Sequence, residues 1–312
     1  MKIIFIFLEN TSCVVIAGGT KDCTTVEVLV GDQGTMHHQN LPKSICSPSM
    51  IPQNGSLSLL GGTRNLWKFL QMDHGTWKEH SFLNEQRFGH SAVTIQSATF
   101  VFGGLVSPKT YEYLPKDSNT WIKGKTEIPG DGFAFGSAIA VKSEQEIWLI
   151  GGGLYYQNLT VDQIICFNVK DHSFQTLPYY LNIERRGHRC AFIPNTNKIM
   201  ITGGRPARCL ASAEILDVDN GSVTSVSPMN SIRHEHGMGV LTINGEDRLV
   251  VFGGYDEKVN DSLIFAGKPL DTVEVYNTKT KKWETLDIKL KEPKHSFGFM
   301  TIKLSDIISQ LS

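Results

Sequence analysis

Short runs of apolar residues that end in two glycines recur along the chain, and polar turns separate them. The runs are VVIAGG, LSLLGG, TFVFGG, IWLIGG, IMITGG and LVVFGG. Their glycine pairs are Gly18 and Gly19, Gly61 and Gly62, Gly103 and Gly104, Gly151 and Gly152, Gly203 and Gly204, and Gly253 and Gly254. The first glycines lie 43, 42, 48, 52 and 50 residues apart. A period in this range indicates stacked copies of one supersecondary unit.

Further apolar segments surround each glycine-terminated run. An apolar strand and a polar turn precede it, as in GHSAVTIQSATFVFGG (89–104). A β-rich segment follows, such as KTYEYL (109–114), and then a strand often marked by an aromatic residue, such as KKWETL (281–286). Each unit therefore predicts four short strands, which we name a to d in chain order, with the glycine pair closing strand b. No segment shows sustained helical periodicity, so the chain is predicted to be all-β.

Six four-stranded sheets fit a single radial β-propeller, in which every blade packs both faces against its neighbours. The predicted blades span approximately residues 1–42, 43–84, 85–130, 131–182, 183–230 and 231–304. Trp77, Trp121 and Trp283 are expected to pack between blades. The segment 295–304 resembles a strand a without its strand b, and we expect it to close blade 1. In the alternative arrangement, residues 2–8 hold that place.

The glycine-terminated run, a later tyrosine (Tyr113, Tyr276) and a tryptophan beyond it resemble the kelch repeat over nearly the whole chain. Blade 1 lacks the tyrosine and the tryptophan, and blade 5 has Leu216 and Val223 near those positions. The resemblance implies a six-bladed propeller of four-stranded kelch blades that binds proteins, often as the substrate-recognition part of a ubiquitin-ligase adaptor. Because no BTB domain accompanies the propeller here, we expect either a fragment of a BTB–kelch protein or a binder that recruits no ligase itself.

Composition and charge narrow the classes of partner. The chain is 40% hydrophobic and 20% charged, with a formal net charge of −1. It therefore carries no broad basic field for nucleic acid or for an anionic membrane. The six cysteines are scattered without a CxxC pair, which favours free thiols in a reducing, cytoplasmic location. Secretion is the alternative, since Asn10, Asn158, Asn220 and Asn260 begin possible glycosylation sequons.

Motifs for catalysis do not emerge from the sequence. No GxGxxG precedes a predicted helix, no GxSxG elbow occurs, and His234-Glu235-His236 does not have the HExxH spacing of zinc hydrolases. We therefore expect a protein that is not an enzyme and has no metal or cofactor. The alternatives are an extracellular lectin-like or galactose-oxidase-like enzymatic propeller, and an actin-binding structural kelch protein.

Arginines concentrate at one predicted end of the propeller. In an up-and-down blade, the d–a connections and the b–c loops emerge at the same end, and seven of the nine arginines fall in them. Arginine captures carboxylate or phosphate in bidentate fashion. The sequence thus predicts a face for an acidic or phosphorylated peptide, centred on Arg87, Arg186 and Arg233. The predicted partner-binding residues are Arg64, Arg87, Tyr155, Tyr156, Arg185, Arg186, Arg205, Arg208, Arg233 and Tyr255.

A structural interpretation competes with this one. An arginine before strand a recurs with the repeat, so it could instead cap a carbonyl or pair with a neighbouring blade. His90 and His188 begin strand a, and we expect them to be structural. The identity of the protein partner and the oligomeric state are not predicted.

Overall fold

The structure, a computed structural model, describes residues 11–20, 23–38, 40–53, 55–63, 68–73, 75–142, 144–154, 157, 159–259 and 265–311. It is a six-bladed propeller in which every blade is a four-stranded antiparallel sheet. Blade 1 comprises β1 (Ser12–Ala17), β2 (Val26–Val30), β3 (Gly34–His38) and β26 (Gly298–Lys303). Blade 2 comprises β4 (Ser49–Gln53), β5 (Ser56–Leu60), β6 (Lys68–Asp73) and β7 (Thr76–Phe82). Blade 3 comprises β8 (Ser91–Thr94), β9 (Ala98–Phe102), β10 (Tyr111–Pro115) and β11 (Ile122–Lys123).

Blades 4 to 6 follow the same plan, and two further elements lie outside the blades. Blade 4 comprises β12 (Ser137–Val141), β13 (Glu146–Gly152), β14 (Val161–Asn168) and β15 (Phe174–Tyr180). Blade 5 comprises β16 (Arg189–Phe192), β17 (Lys198–Thr202), β18 (Ala213–Asp217) and β19 (Val223–Val226). Blade 6 comprises β20 (Gly237–Ile243), β21 (Glu246–Phe252), β24 (Thr272–Asn277) and β25 (Lys282–Lys289). The additional elements are a hairpin of β22 (Tyr255–Val259) and β23 (Phe265–Pro269), and the helix α1 (Leu304–Leu311).

The C-terminal strand closes the ring, as the sequence predicts. β26 pairs antiparallel with β1 from Ala17↔Gly298 to Ser12↔Lys303 and becomes the inner strand of blade 1. The competing segment 2–8 lies outside the described residues. Blade 1 therefore joins the two ends of the described chain.

Six apolar clusters occupy the six interfaces between neighbouring blades. The three tryptophans lie in these clusters as predicted. Trp121 of blade 3 meets Phe69 of blade 2 edge to face at 6.3 Å, and Trp283 of blade 6 donates its Nε1–H to Ser227 O. Each buried side chain of this size stabilises the fold by about 1.5–3 kcal/mol, so the stability of a blade depends on both of its neighbours.

The glycine pairs tie each blade to the next. Gly103 N donates to Thr110 O in its own blade, while Gly104 N donates to Phe133 O at the entry of blade 4. Gly103 has φ +62°, and a Cβ there would overlap the Phe133 carbonyl oxygen. A side chain would thus meet both a strained backbone and a clash, which explains why glycine closes strand b.

Two elements were not predicted. The helix α1 follows β26 directly, and its Leu304 and Ile307 are buried in the cluster between blades 1 and 2. It is too short to produce a periodic signal over several turns. The hairpin β22–β23 is an insertion in the b–c loop of blade 6, so it adds to the length of that repeat without adding a blade. No helix among the described residues is long and apolar enough to cross a membrane.

All six cysteines are free thiols. Burial raises the pKa of Cys13, Cys166 and Cys190 to about 12 and that of Cys209 to about 11. Because the thiolate is the reactive form, we expect slow labelling of these thiols by a maleimide reagent at pH 8 in the folded protein. After unfolding without reductant, six thiols should react. A lower count on the unfolded chain would contradict the free-thiol assignment.

Candidate partner-binding face

The six d–a connectors meet around the propeller axis and form what we call the axial ring. Each connector contributes one residue with a positive φ between 50° and 66°. These residues are Ser47, Gly89, Phe135, Gly187, Glu235 and Ser296. Backbone hydrogen bonds link them from blade to blade: Phe135 N to Gly89 O, Gly187 N to Phe135 O, Glu235 N to Gly187 O, Ser296 N to Glu235 O, and Ser47 N to Ser296 O. The ring fixes the position of every side chain near the opening.

Two residues before the axial ring, four blades carry a buried cation. Arg87, Arg185 and Arg233 have no exposed surface, and Lys294 is 1% exposed. Each is matched by a buried glutamate near the start of strand c, at its second residue in blades 1, 3 and 5 and at its third in blade 6. The pairs are Arg87–Glu112, Arg185–Glu214, Arg233–Glu274 and Lys294–Glu27. We call these the anchor pairs.

Arg87 shows how an anchor pair holds a blade together. Its Nε donates to Glu112 Oε1 at 3.1 Å. Its Nη1 donates to the carbonyls of Gly103 and Thr110 at 2.7 and 3.0 Å. Meanwhile its own carbonyl accepts the N–H of Gly62 in blade 2 at 2.9 Å. Burial lowers the pKa of Arg87, and the charge of Glu112 opposes that shift. The residue therefore connects two blades through its backbone and completes one of them through its side chain.

The other blades repeat this geometry. Arg185 donates to Glu214 and to Gly203 O at 2.8 Å, Arg233 to Glu274 at 2.6 Å and to Gly253 O at 2.7 Å, and Lys294 to Thr25 Oγ1 at 2.6 Å. Each glutamate also accepts a backbone N–H from the residue three positions before the cation: Asn84, Asn182, Asn230 and Lys291. Each buried carboxylate thus has both a cationic side chain and a backbone N–H as partners, which offsets the cost of burying its charge.

Blades 2 and 4 replace the whole arrangement by apolar residues. Ile45 and Phe133 hold the cation's place, because their carbonyls accept the N–H groups of Gly19 and Gly104 just as the Arg87 carbonyl accepts that of Gly62. Leu70 and Ile165 hold the glutamate's place, paired with Leu59 and Leu149 of strand b.

The backbone donor is removed from these two blades as well. Pro42 and Pro129 stand directly after Leu41 and Ile128, at the place of Asn84 after Leu83. Proline has no N–H to leave unsatisfied. The chain therefore uses two self-consistent solutions at one position, an ion pair with a backbone donor or an apolar pair with proline.

Three of the predicted partner-binding residues belong to the anchor pairs. Arg87, Arg185 and Arg233 lie in the predicted connectors, but their guanidinium groups point into the blades and contact carboxylates and carbonyls there. With no exposed surface, these groups do not reach a partner on the face. Their contacts agree with the competing structural interpretation, in which the arginine before strand a caps a carbonyl.

The remaining predicted residues lie on the face or outside the described residues. Arg186 and Arg205 are brought together by reciprocal backbone hydrogen bonds of 3.2 and 2.9 Å. Arg186 is 4% exposed and its Nη1 donates to Leu159 O and Thr160 Oγ1. Arg208 is exposed in the b–c loop of blade 5. Arg64, Tyr155 and Tyr156 lie outside the described residues, so their partner-binding role stays a prediction.

The polar sector of the face comprises Arg186, Arg205, Arg208, Tyr255 and His295, from blades 5, 6 and 1. Arg205 pairs with Glu257 of β22 at 2.7 Å, which docks the hairpin β22–β23 against blade 5. The Tyr255 ring lies 4.8 Å from the His295 ring and forms one wall. Although burial opposes its ionisation, hydrogen bonding from His295 and the charge of His234 lower the pKa of Glu235 to about 2. The sector is therefore of mixed charge, with Arg208 at its exposed edge.

An apolar sector, which sequence reasoning missed, faces it from blades 3 and 4. It comprises Phe88, Leu105, Val106 and Phe135. The Phe88 and Phe135 rings meet edge to face at 6.3 Å, and Leu105 N donates to Phe88 O at 3.0 Å. Val106 is 50% exposed. The signal was present in the chain, because Phe88 holds the place that Arg186 holds in blade 5.

The histidines that begin strand a are buried between blades, which agrees with the structural role we expect for them. His90 and His188 point towards the first glycine of the preceding blade. Burial lowers the pKa of both to about 3. His236 holds the equivalent position in blade 6, and its Nε2 lies 2.9 Å from Thr202 Oγ1. The side chains of His234 and His236 therefore lie in different surroundings. No group of three His, Cys, Asp or Glu side chains in the described part of the chain could hold a metal ion.

The chain matches a known family model. The model described as the KLHDC2/KLHL20/DRC7 Kelch-repeats domain matches residues 136–308, which is more than half of the chain. No curated protein matches the chain significantly.

Proposed function

The chain belongs to the KLHDC2/KLHL20/DRC7 Kelch-repeats domain family, and on that premise we propose that it is a non-catalytic module that binds an acidic or phosphorylated segment of another protein. Kelch propellers suggest protein interaction, and the family is typically non-catalytic. The finer claim concerns the face formed by the d–a connectors and the b–c loops. The observation that carries it is the division of this face into a polar and an apolar sector.

The two sectors suit a segment of mixed character. Arg208 presents an exposed guanidinium group for carboxylate or phosphate, and the guanidinium of Arg205, paired with Glu257, adds to the positive charge of the same loop. Val106 and Phe88 offer apolar surface for a neighbouring aliphatic or aromatic side chain of the same segment. Tyr255 adds a rigid aromatic contact of the kind enriched in binding hot spots. The anchor pairs keep the loops in place, so little ordering is needed on binding.

Affinity capture with the whole chain tests the proposal. The variant Arg205→Gln/Arg208→Gln should retain less than about a tenth of the wild-type partner, because charge-assisted hydrogen bonds are each worth roughly 1.5–3 kcal/mol. The variant Val106→Asp should also weaken capture, since Val106 is half exposed on the same face. Partners are identified by mass spectrometry and quantified against the wild type.

A matched control carries the same charge change on the opposite face. The variant Arg248→Gln/Lys279→Gln alters a cavity of about 1000 Å³ near the a–b and c–d hairpins, which also contains Asp247 and Lys303. We expect this variant to bind partners like the wild type. If it loses them while Arg205→Gln/Arg208→Gln keeps them, binding belongs to the hairpin face and the proposal fails.

The proposal includes a substrate-recognition role in a ubiquitin-ligase adaptor and a cytoplasmic location. Support comes from the kelch resemblance and from the six free thiols, which are typical of a reducing compartment. Depleting the chain from cells should lengthen the half-life of the captured partner. Wild-type chain should restore turnover and Arg205→Gln/Arg208→Gln should not; an unchanged half-life would contradict this role.

A further inference from the structure

The inner strands enclose a polar cavity of about 180 Å³ on the propeller axis. It begins two residues beyond the axial ring, at the first residue of each strand a. Going around the ring, these residues are Ser49, Ser91, Ser137, Arg189, Gly237 and Gly298. Three serines, one arginine and two glycines thus hold equivalent positions. The serines and the arginine line the cavity together with Cys190 and Phe299.

Arg189 differs from the arginines of the anchor pairs. Its Nη1 donates to His188 O at 3.0 Å, and its Cζ lies 5.5 Å from the centre of the Phe299 ring across the cavity. Among the described residues, no carboxylate lies within ion-pair distance of its guanidinium. Burial lowers the pKa of Arg189, and the charge of Glu235 opposes that shift. Arg189 is half-buried and lines the cavity, so it places a cation without an ion-paired carboxylate from the described residues at the cavity wall.

Such a group favours an anion. A guanidinium has five N–H donors in a planar fork that matches the geometry of an oxyanion. In Arg87, for comparison, Glu112 and backbone carbonyls accept from these donors. At Arg189 the protein supplies one carbonyl and one ring face, so an oxyanion in the cavity would complete the set.

The two preceding blades can contribute hydroxyl donors. Ser137 of blade 4 and Ser91 of blade 3 line the same cavity, and a serine hydroxyl rotates to suit an acceptor. Since a water molecule takes about 30 Å³ of liquid, the cavity has room for one tetrahedral oxyanion and a few waters.

Glu235 limits the charge that the site accepts. It is the acidic member of the axial ring, and its carboxylate binds the Ser296 hydroxyl and faces His295 Nδ1 at 3.4 Å. These contacts direct the Glu235 carboxylate towards blade 1, while its negative charge still stabilises the charged form of Arg189. Because the negative charge of Glu235 repels anions, the cavity favours a single small anion over a polyphosphate, which carries more charge.

We propose that the axial cavity is a binding site for a tetrahedral oxyanion of the size of phosphate or sulfate, held by the Arg189 guanidinium and the hydroxyls of Ser91 and Ser137. The site is separate from the polar and apolar sectors. It does not depend on the proposed capture of a protein partner.

Calorimetric titration of the whole chain with inorganic phosphate, at an ionic strength held constant with chloride, tests the site. Saturable binding is expected for the wild type. Arg189→Gln should weaken it at least about tenfold, and Glu235→Gln should tighten it a few-fold because a repelling charge is removed. The control Arg248→Gln, which removes a guanidinium on the hairpin face, should bind like the wild type. Equal binding by wild type and Arg189→Gln, or no saturable binding by the wild type, would overturn the proposal.

A second variant covers the case in which Arg189→Gln does not fold, which circular dichroism would show. Ser137→Ala keeps the guanidinium and removes one hydroxyl donor. Its affinity for phosphate should be about 3- to 10-fold weaker than that of the wild type. Unchanged affinity in a folded Ser137→Ala would contradict the proposed geometry.

Discussion

Replacing Arg87 with methionine is expected to lower the free energy of unfolding by about 3–5 kcal/mol. The substitution leaves Glu112 ionised in the interior without its partner, and breaking one side of a buried pair costs this much. It also removes the donors to Gly103 O and Thr110 O. Urea unfolding followed by tryptophan fluorescence measures the loss, with Arg208→Met as the control for removing an exposed arginine.

Blades 2 and 4 show how the loss could be recovered. The triple variant Asn84→Pro/Arg87→Ile/Glu112→Leu copies the solution of blade 2, where Pro42, Ile45 and Leu70 hold these places. It removes the cation, the carboxylate and the Asn84 backbone donor together, so neither buried charge is left without its partner. We expect it to be clearly more stable than Arg87→Met alone. A triple variant as unstable as the sum of its single changes would show that the two arrangements are not interchangeable.

Ending the chain after Phe297 is expected to abolish cooperative folding. It removes β26, whose six residues all pair with β1, and it exposes the edge of a strand whose Val14, Val15 and Ile16 are fully buried. Domains are stabilised by only about 5–15 kcal/mol in total, so the loss of an inner strand should exceed the margin. Near-ultraviolet circular dichroism during urea unfolding would show a weak signal without a sharp transition.

A second truncation separates the strand from the helix. Ending the chain after Lys303 keeps β26 and removes α1, including the buried Leu304 and Ile307. The expected loss is about 1.5–3 kcal/mol for each of the two side chains, with cooperativity retained. If both truncated chains unfold like the full chain, ring closure by β26 does not hold the propeller together.

The fold could be predicted from sequence because its signal is repeated. A single short apolar run that ends in glycine does not identify a fold. Six copies at similar spacing specify both the strand pattern of a blade and the number of blades. Strand β26 was recognisable because HSFGFMTIKL has the character of strand a and lacks a following strand b. The helix α1 and the hairpin β22–β23 occur once each, so no repetition separated their local patterns from chance.

The candidate face was less predictable, because topology places a residue at one end of a blade and does not say where its side chain points. Arg185 and Arg186 are neighbours in sequence and lie in the same connector. One donates to Glu214 inside the blade, and the other donates to Thr160 beside the opening. The anchor pairs could have been inferred from the blades themselves, since cation, glutamate and backbone donor occur together in four blades and are replaced together in two. For the apolar sector the signal was a single substitution, Phe88 at the place of Arg186, and no repetition supported it.

The pairing of β1 with β26 also determines how the protein responds to mechanical load. The strands are antiparallel, and Ser12 faces Lys303 at one end of the pair. Tension applied between these two residues pulls the strands apart from that end, so the bonds between them break one after another. The opposite geometry, in which strands slide past each other, loads all bonds at once. The propeller is thus vulnerable to unzipping between β1 and β26, where the ends of the described chain meet.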